Sequence, residues 1–507
     1  MAGACAKPSF LSVFVTAATV LGLGEASSAA GEQAGVHYEP TWESLAQHST
    51  PKWFNEAVLG IYFHWGVYSV PGQSLFYGIG MYGKGNPLYN YHVAHYGDPT
   101  KFGYKDLIPL FKAEKWDPDA WAELFERAGA DFAGPCAEHH DGFAMWDTQY
   151  DKFNAMKMGP HRDIVGEMLH AVRAHHLRTV VTFHQCRNWS FFTPGRKLCP
   201  EGVDVNDPDC TDLYGPIHPP DASEFKNIKT TPAYQENYTN QIVEVIHKYR
   251  PDQIWLEDLF PVFINTDQYV KPMLAYYFNQ AESWGKEVMV THKGKDLPLA
   301  CSELDHEQGW GEKADPQPRR WQADTTLPGC DWSYISSITM TDEQIDRGAK
   351  TLVHSIVSRT SNNGVTLLSI SPKADGTLPV YQVKMLSKLG DWMKVNKVAL
   401  YGARCRTPSK AGTFRFTENG PWLYALALAT PKTGQVIPGV TPVQGSEMRL
   451  LGCNKPLTWH QAGADVVIDD LPDPLPCDYA WSFRIQVKSD KASANADASN
   501  NPKKAIP

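Results

Sequence analysis

Apolar and polar positions alternate along the chain in two regimes. From residue 59 to about 370, short β-forming runs take turns with longer stretches of helical period. Residues 59–68 read as a strand running into a tight turn at Gly66. Residues 116–130 read as a helix, with Asp117 as N-cap, Pro118 at the first helical position and Trp121, Leu124, Phe125 and Ala128 on one face. A strand over 130–138 follows. Next come a helix over 163–177 (Ile164, Met168, Val172 and His176 at helical spacing) and a Val/Thr-rich strand over 178–184. The alternation continues with a helix over 231–249, a strand over 252–260, a helix over 266–284 and a strand over 287–291. A helix over 341–358 and the apolar run 364–370 complete it. Such alternation predicts a parallel sheet and, at this length, a (β/α)8-like barrel spanning residues 31–395.

Beyond residue 396 the period changes. Short strands near Leu400 and over 414–416, 423–428, 447–451, 466–468 and 481–487, separated by Gly, Pro and Asn turns, predict a C-terminal antiparallel β-sandwich over 396–488. Residues 489–507 are rich in Lys, Ala, Asn and Asp and read as a disordered tail. The segment 187–230 is full of Pro, Asp and Gly, and a loop of that length in a compact domain is usually functional. At the other end, Lys7, the apolar run 10–23 and the small residues 26–30 form the pattern of a signal peptide over residues 1–30. That run is too short for a membrane anchor, and no other stretch reaches the roughly 18 apolar residues of a span. An exported protein is the expectation.

Composition narrows the partners. Of the 507 residues, 42% are hydrophobic, enough for a sizeable core, and 47 basic against 56 acidic residues give a net charge of −9. That balance disfavours nucleic acid or an anionic membrane. An aromatic share of 12%, with 16 Trp, suits a cleft that stacks on sugar faces. Nine of the ten cysteines follow the signal segment, an odd number, so at least one is unpaired within the chain. Cys199 with Cys210 is the favoured pair and Cys453 with Cys477 the next. Asn188-Trp189-Ser190 and Asn237-Tyr238-Thr239 are glycosylation acceptors by pattern.

The strand over 252–260 carries two adjacent acids, Glu257 and Asp258, at its end. Two carboxylates repel in a dry core and belong at an opening. His64 stands where a hydrophobic strand meets a Gly turn, and on spacing alone a backbone-bonded core histidine is the default reading. His139 and His140 follow another strand, and they converge only if that strand has already ended. No third ligand recurs at a spacing such as i+4, so imidazoles that hold sugar hydroxyls fit a cleft better than a metal site does. Glu303, Asp305 and Glu307 add carboxylates on a further segment. Two acids on different strand ends meet the needs of glycoside hydrolysis: one attacks or activates water, the other protonates the leaving oxygen. A solvated charge cluster is the alternative.

Taken together, several motifs resemble the α-L-fucosidases of glycoside hydrolase family 29. They are His64-Trp65-Gly66 with Tyr68-Ser69-Val70-Pro71, His139-His140-Asp141-Gly142-Phe143, the run 159–167, Trp332-Ser333-Tyr334, Asn363-Gly364 with the run 367–376, and Leu400-Tyr401-Gly402. They occur in order between about residues 40 and 405. The resemblance implies a barrel followed by a β-sandwich, a carbohydrate substrate, and a retaining mechanism through a glycosyl-enzyme with no metal or cofactor. It implies that His64, His139 and His140 bind sugar hydroxyls and that Trp332 packs on the sugar. The family's nucleophile is an Asp two residues after a Trp, usually followed by Gly. Glu257 holds that place here, with Asp258 in the Gly position. The longer side chain would move the carboxylate by roughly 1.5 Å. Either Glu257 attacks, or Asp258 does, or neither. His184 replaces a sugar-binding Tyr, and Leu75-Phe76-Tyr77 lacks the acid of a Glu-Trp-Tyr motif. Glu307 matches one usual place of the acid/base, while the other, after Trp321, is Gln322. The leading expectation is an exported α-L-fucosidase with Glu257, Asp258 and Glu307 as catalytic acids. The alternatives are a catalytically impaired carbohydrate-binding protein, or a hydrolase or transferase of shifted specificity. No oligomeric state is implied.

Overall fold

Each of the alternating apolar runs becomes a strand of one parallel sheet in the computed structural model, which describes residues 36–199, 204–218, 230–257, 265–294, 297–309 and 316–488. The signal segment, Asp258 and the tail 489–507 lie outside the described residues. The strands are β1 (Leu59–Phe63), β2 (Phe132–Glu138), β3 (Arg178–Phe183), β4 (Gln253–Leu256), β5 (Met289–His292), β6 (Glu303–Leu304), β7 (Trp321–Thr326) and β8 (Gly364–Ile370). They run in the order β6-β5-β4-β3-β2-β1-β8-β7. The two edges meet through a parallel bridge between Asp305 and Gln322, with His306 N–H donating to the Gln322 carbonyl at 2.8 Å. The sheet thereby curls into the expected barrel.

The helices that follow β1 to β4 form where local chemistry starts and stops them. Asp117 caps Pro118–Arg127 by accepting the N–H groups of Asp119 and Ala120. Asp163 caps Ile164–Ala174 and Thr231 caps Pro232–Tyr249. The helix Lys271–Trp284 is preceded by a π-helical turn, Thr266–Val270, and ends on left-handed Gly285. The segment 187–230, expected as an open loop, instead carries short helices where it is described: Asn188–Phe191, Thr193–Leu198 and Thr211–Tyr214. Asp204 organises it by accepting the hydroxyls of Tyr82 and Tyr214.

Inside the barrel, Tyr62, Phe132, Val180, Trp255, Met289, Val365 and Leu367 form one buried cluster. Gly60 faces Phe132 across the β1–β2 register, and a Cβ there would fall 2.2 Å from the Phe132 ring. The glycine makes room for that phenyl group. Polar side chains are threaded through the same interior, Gln253 lying in register with Val180 and Met289 of that cluster. Gln253 donates to Thr291 and Gln322, and Trp255 Nε1 donates to Asp305, at 2.8 to 2.9 Å.

The remainder of the chain is a second compact unit dominated by two antiparallel sheets, one of five strands and one of three. Phe414, Phe416, Leu423, Ile437, Leu450, Val466, Ile468 and Phe483 fill the core between them. The expected strand at Leu400 is the end of a 3-10 turn, and strands Arg404–Ala411, Gln435–Ile437 and Trp459–Ala462 add to those expected.

Neither favoured disulfide forms. Cys210 keeps its thiol, with Sγ 3.7 Å from Oδ2 of Asp207. Cys453 and Cys477 are both thiols, the latter pointing at the Ala480 carbonyl. Asn188 is buried and its Nδ2 donates to the carbonyls of His140 and Leu213, so the folded chain does not present it for glycosylation. Among the described residues no helix is long and apolar enough to cross a membrane.

Candidate active site

Period-two alternation aims the site. On β4, Gln253 and Trp255 point into the barrel, so Glu257 does too, just past the strand end. Its N–H still donates to the Phe183 carbonyl at 3.0 Å, which keeps it in the β3–β4 register. On β8, Val365, Leu367 and Ser369 follow the same rule, and Ser369 meets His64 from the end of β1, Oγ to Nδ1 2.8 Å. β2 needs one more device. A register shift between Cys136 and Glu138 sends Glu138 outward, where it accepts from Gln241 of the helix Pro232–Tyr249. The strand then ends, and His139 and His140 both turn to the mouth with ring centroids 4.0 Å apart. Gly142 completes the turn at φ 72°, where a Cβ would fall 2.2 Å from the Leu213 carbonyl.

Two histidines close on Glu257, and His64 and His139 pack against them. His184 Nδ1 bonds its Oε2 at 2.6 Å, and His140 Nε2 lies 3.7 Å from the same oxygen. The other oxygen, Oε1, faces Arg187 and Lys293, each at 3.7 Å. Burial alone would raise the Glu257 pKa. Lys293, together with the hydrogen bond that His184 gives, outweighs it and holds the carboxyl well below its usual range. Burial lowers the histidines: His64 and His139 lie well below the ordinary imidazole value and His140 falls to about 4. Glu257 is therefore the anion of the group, and the imidazoles are neutral. With Nδ1–H of His184 donated to Glu257, its Nε2 accepts from the Thr182 hydroxyl at 3.1 Å.

Lys293, two residues beyond the inward Thr291 of β5, is the residue that sequence reasoning missed. Its ammonium lies 3.1 Å from Glu307 Oε2 and 3.3 Å from Asp324 Oδ2, besides its contact with Glu257. It also stands 5.1 Å above the Trp255 ring. Alternation past β5 carried the signal, since it aims position 293 inward. Asp324 on β7 was likewise unread. Its burial, and the Asp305 carboxylate beside it, push it well above the usual carboxylate range.

The acids expected on the later segment separate. Glu307 reaches the mouth and is half exposed. Asp305 is structural, accepting from Trp255 Nε1, Gln322 Nε2 and the Asp324 N–H. Glu303 accepts from Thr50 instead of facing Glu257. Gln322 is spent inside the barrel, bonded to Gln253 and Asp305. Trp332 lies beside the site, its ring 5.3 Å from that of His64. The result is an ionised carboxylate ringed by neutral imidazoles, two cations and indole faces, with a second carboxylate across Lys293. Such an arrangement can hold a sugar and exchange a glycosyl group.

A profile of the family described as alpha-L-fucosidase matches residues 25–398. The tissue alpha-L-fucosidase of Homo sapiens is 27% identical over 487 residues, spanning 92% of this chain and 95% of its own. The plasma alpha-L-fucosidase of the same species is 28% identical over 478 residues, spanning 88% and 92%. Among solved structures, the Thermotoga maritima alpha-fucosidase in complex with fucose superposes with a TM-score of 0.71 at 28% identity, covering 89% of this chain and 100% of that one.

Proposed function

This chain belongs to the α-L-fucosidase family and with it to the glycoside hydrolases, and on that premise we propose that it cleaves α-L-fucosides with retention, Glu257 attacking and Glu307 serving as acid and base. The observation that carries the reading is the setting of Glu257. Oε2 is held by His184, while Oε1 faces its cations beyond hydrogen-bond length and remains available to attack. In the first step Oε1 bonds to the anomeric carbon as the glycosidic bond breaks, and Glu307 delivers a proton to the leaving oxygen. In the second, Glu307 takes a proton from water, which displaces Glu257 and frees the sugar. His64, His139 and His140 are assigned to the sugar hydroxyls and Trp332 to an apolar face. The extra methylene of Glu257 is accommodated because four side chains, not the strand alone, set where its carboxylate stops.

The test is hydrolysis of 4-nitrophenyl α-L-fucoside, with the configuration of the first-formed fucose read by NMR. Glu257→Gln is expected to lower kcat by at least ~10³-fold. Full activity in that variant would remove Glu257 from the chemistry, and fucose binding without turnover by the parent chain would favour the non-catalytic binder. We propose export as well, supported by the apolar run 10–23 and the small residues after it. N-terminal sequencing of secreted protein tests that reading.

A further inference from the structure

The three strand-end histidines His64, His139 and His184 converge on one another. One ring nitrogen from each lies within 4.8 Å of the other two, and all three residues are buried. Their ring centroids are 5.3 Å apart for His64–His139, 5.1 Å for His64–His184 and 4.9 Å for His139–His184. Imidazole nitrogens about 2.0–2.1 Å from a tetrahedral zinc put ring centroids about 5 Å apart. The nitrogens must still close to about 3.4 Å from one another, a movement on the order of 1 Å that side-chain torsions supply.

The outer partners point the same way. Metal-bound histidines usually give their second nitrogen to a carboxylate, hydroxyl or carbonyl, which sets the ring and the tautomer. His184 Nδ1 is engaged by Glu257 at 2.6 Å and His64 Nδ1 by Ser369 at 2.8 Å. In both, Nε2 is left with its lone pair for an ion, the Thr182 hydroxyl giving way at His184. His139 Nδ1 is buried with no hydrogen-bond partner among the described residues. His140 is different, since its Nδ1 bonds the His184 carbonyl and its Nε2 faces Glu257. Glu257 supplies negative charge beside the cluster, and the Lys293 ammonium is shared between Glu257 and Glu307.

We propose that His64, His139 and His184 form a binding site for a zinc-class divalent ion, with Glu257 as its outer carboxylate, and that the ion and the sugar exclude one another. The metal site stands apart from the catalytic assignment; the exclusion rests on it, because His64 and His139 are proposed sugar donors.

The full chain is stripped with EDTA and titrated with Zn²⁺ against a chromophoric chelator. One ion per chain is expected, bound at least tenfold more weakly after His64→Ala, His139→Ala or His184→Ala. Glu257→Gln should weaken it by roughly 10- to 100-fold. His460→Ala, which removes an exposed histidine of the C-terminal unit, should leave it unchanged. L-Fucose should raise the apparent Kd for zinc. Circular dichroism confirms that each variant folds. Where one does not, the Co²⁺-loaded parent chain gives an independent count, with paramagnetically shifted N–H protons from three histidines. Fewer than three, or zinc affinity indifferent to the three substitutions, overturns the site; affinity indifferent to L-fucose overturns the exclusion. None of these readouts depends on fucoside turnover, so failure here and failure of the hydrolase reading are distinguishable.

Discussion

The Nδ1–H of His184 donates to Oε2 of Glu257 across 2.6 Å, between two side chains almost wholly removed from solvent. The bond decides where the longer carboxylate ends. His184→Phe keeps the ring's bulk and removes the donor, so the carboxylate loses its anchor while the barrel stays filled. A fall in kcat/KM on the order of 10²-fold is expected for 4-nitrophenyl α-L-fucoside. An unchanged value in a folded variant would show that Arg187 and Lys293 suffice to place Glu257.

Lys293 should govern the acid limb of activity. Its charge is among the causes that hold Glu257 low. As the proposed nucleophile Glu257 must be ionised, so a lowered pKa extends activity toward acid. Lys293→Met removes the charge and raises that pKa. The acid limb of kcat/KM should then move to higher pH by about one unit or more, whereas Lys293→Arg should keep it in place. Matching pH profiles for Met and parent enzyme would refute this role.

Asp252 should matter for stability rather than catalysis. It is buried at the start of β4, accepting from the N–H and hydroxyl of Thr179 at 2.9 and 2.7 Å, with Arg178 and Lys286 each at 3.3 Å. Burial would raise its pKa, but Lys286, Thr179 and Arg178 together lower it. A depressed folded pKa stabilises fully above the unfolded value of about 3.9 and loses that contribution as pH falls through the folded one. Asp252→Asn should therefore flatten the acid side of the stability profile. Asp252→Ala should cost roughly 2–4 kcal/mol in denaturant unfolding at neutral pH, with activity per folded molecule retained.

Gly60 and Phe132 test the packing of the barrel interior. With a Cβ 2.2 Å from the phenyl ring, Gly60→Ala should destabilise by about 1–3 kcal/mol. Adding Phe132→Leu should recover part of that loss. A Gly60→Ala chain as stable as the parent would mean that the ring moves freely.

Local patterning alone determined much of this protein. Strands β1 to β5 and β8, the capped helices between them and the apolar strands of the C-terminal sheets all follow from hydrophobic period and cap residues within a few positions of one another. The ordered motifs between residues 40 and 405 carried the family. The tertiary structure decided what depends on distant partners. β7 reads Trp-Gln-Ala-Asp-Thr-Thr and shows no apolar run, yet it is buried along most of its length, because Gln322 and Asp324 find Gln253, Asp305 and Lys293 inside the barrel. The strands Arg404–Ala411 and Trp459–Ala462 are largely exposed and leave no hydrophobic alternation to read. The expected disulfides do not form, and the four cysteines remain thiols. At the site, sequence placed the acids and histidines at strand ends but could not say which would meet. That Glu257 is ringed by His140, His184, Arg187 and Lys293 follows from the closure of the barrel. A charge is set by its neighbours within about 4 Å, and those neighbours come from three different strand ends, β2, β3 and β5.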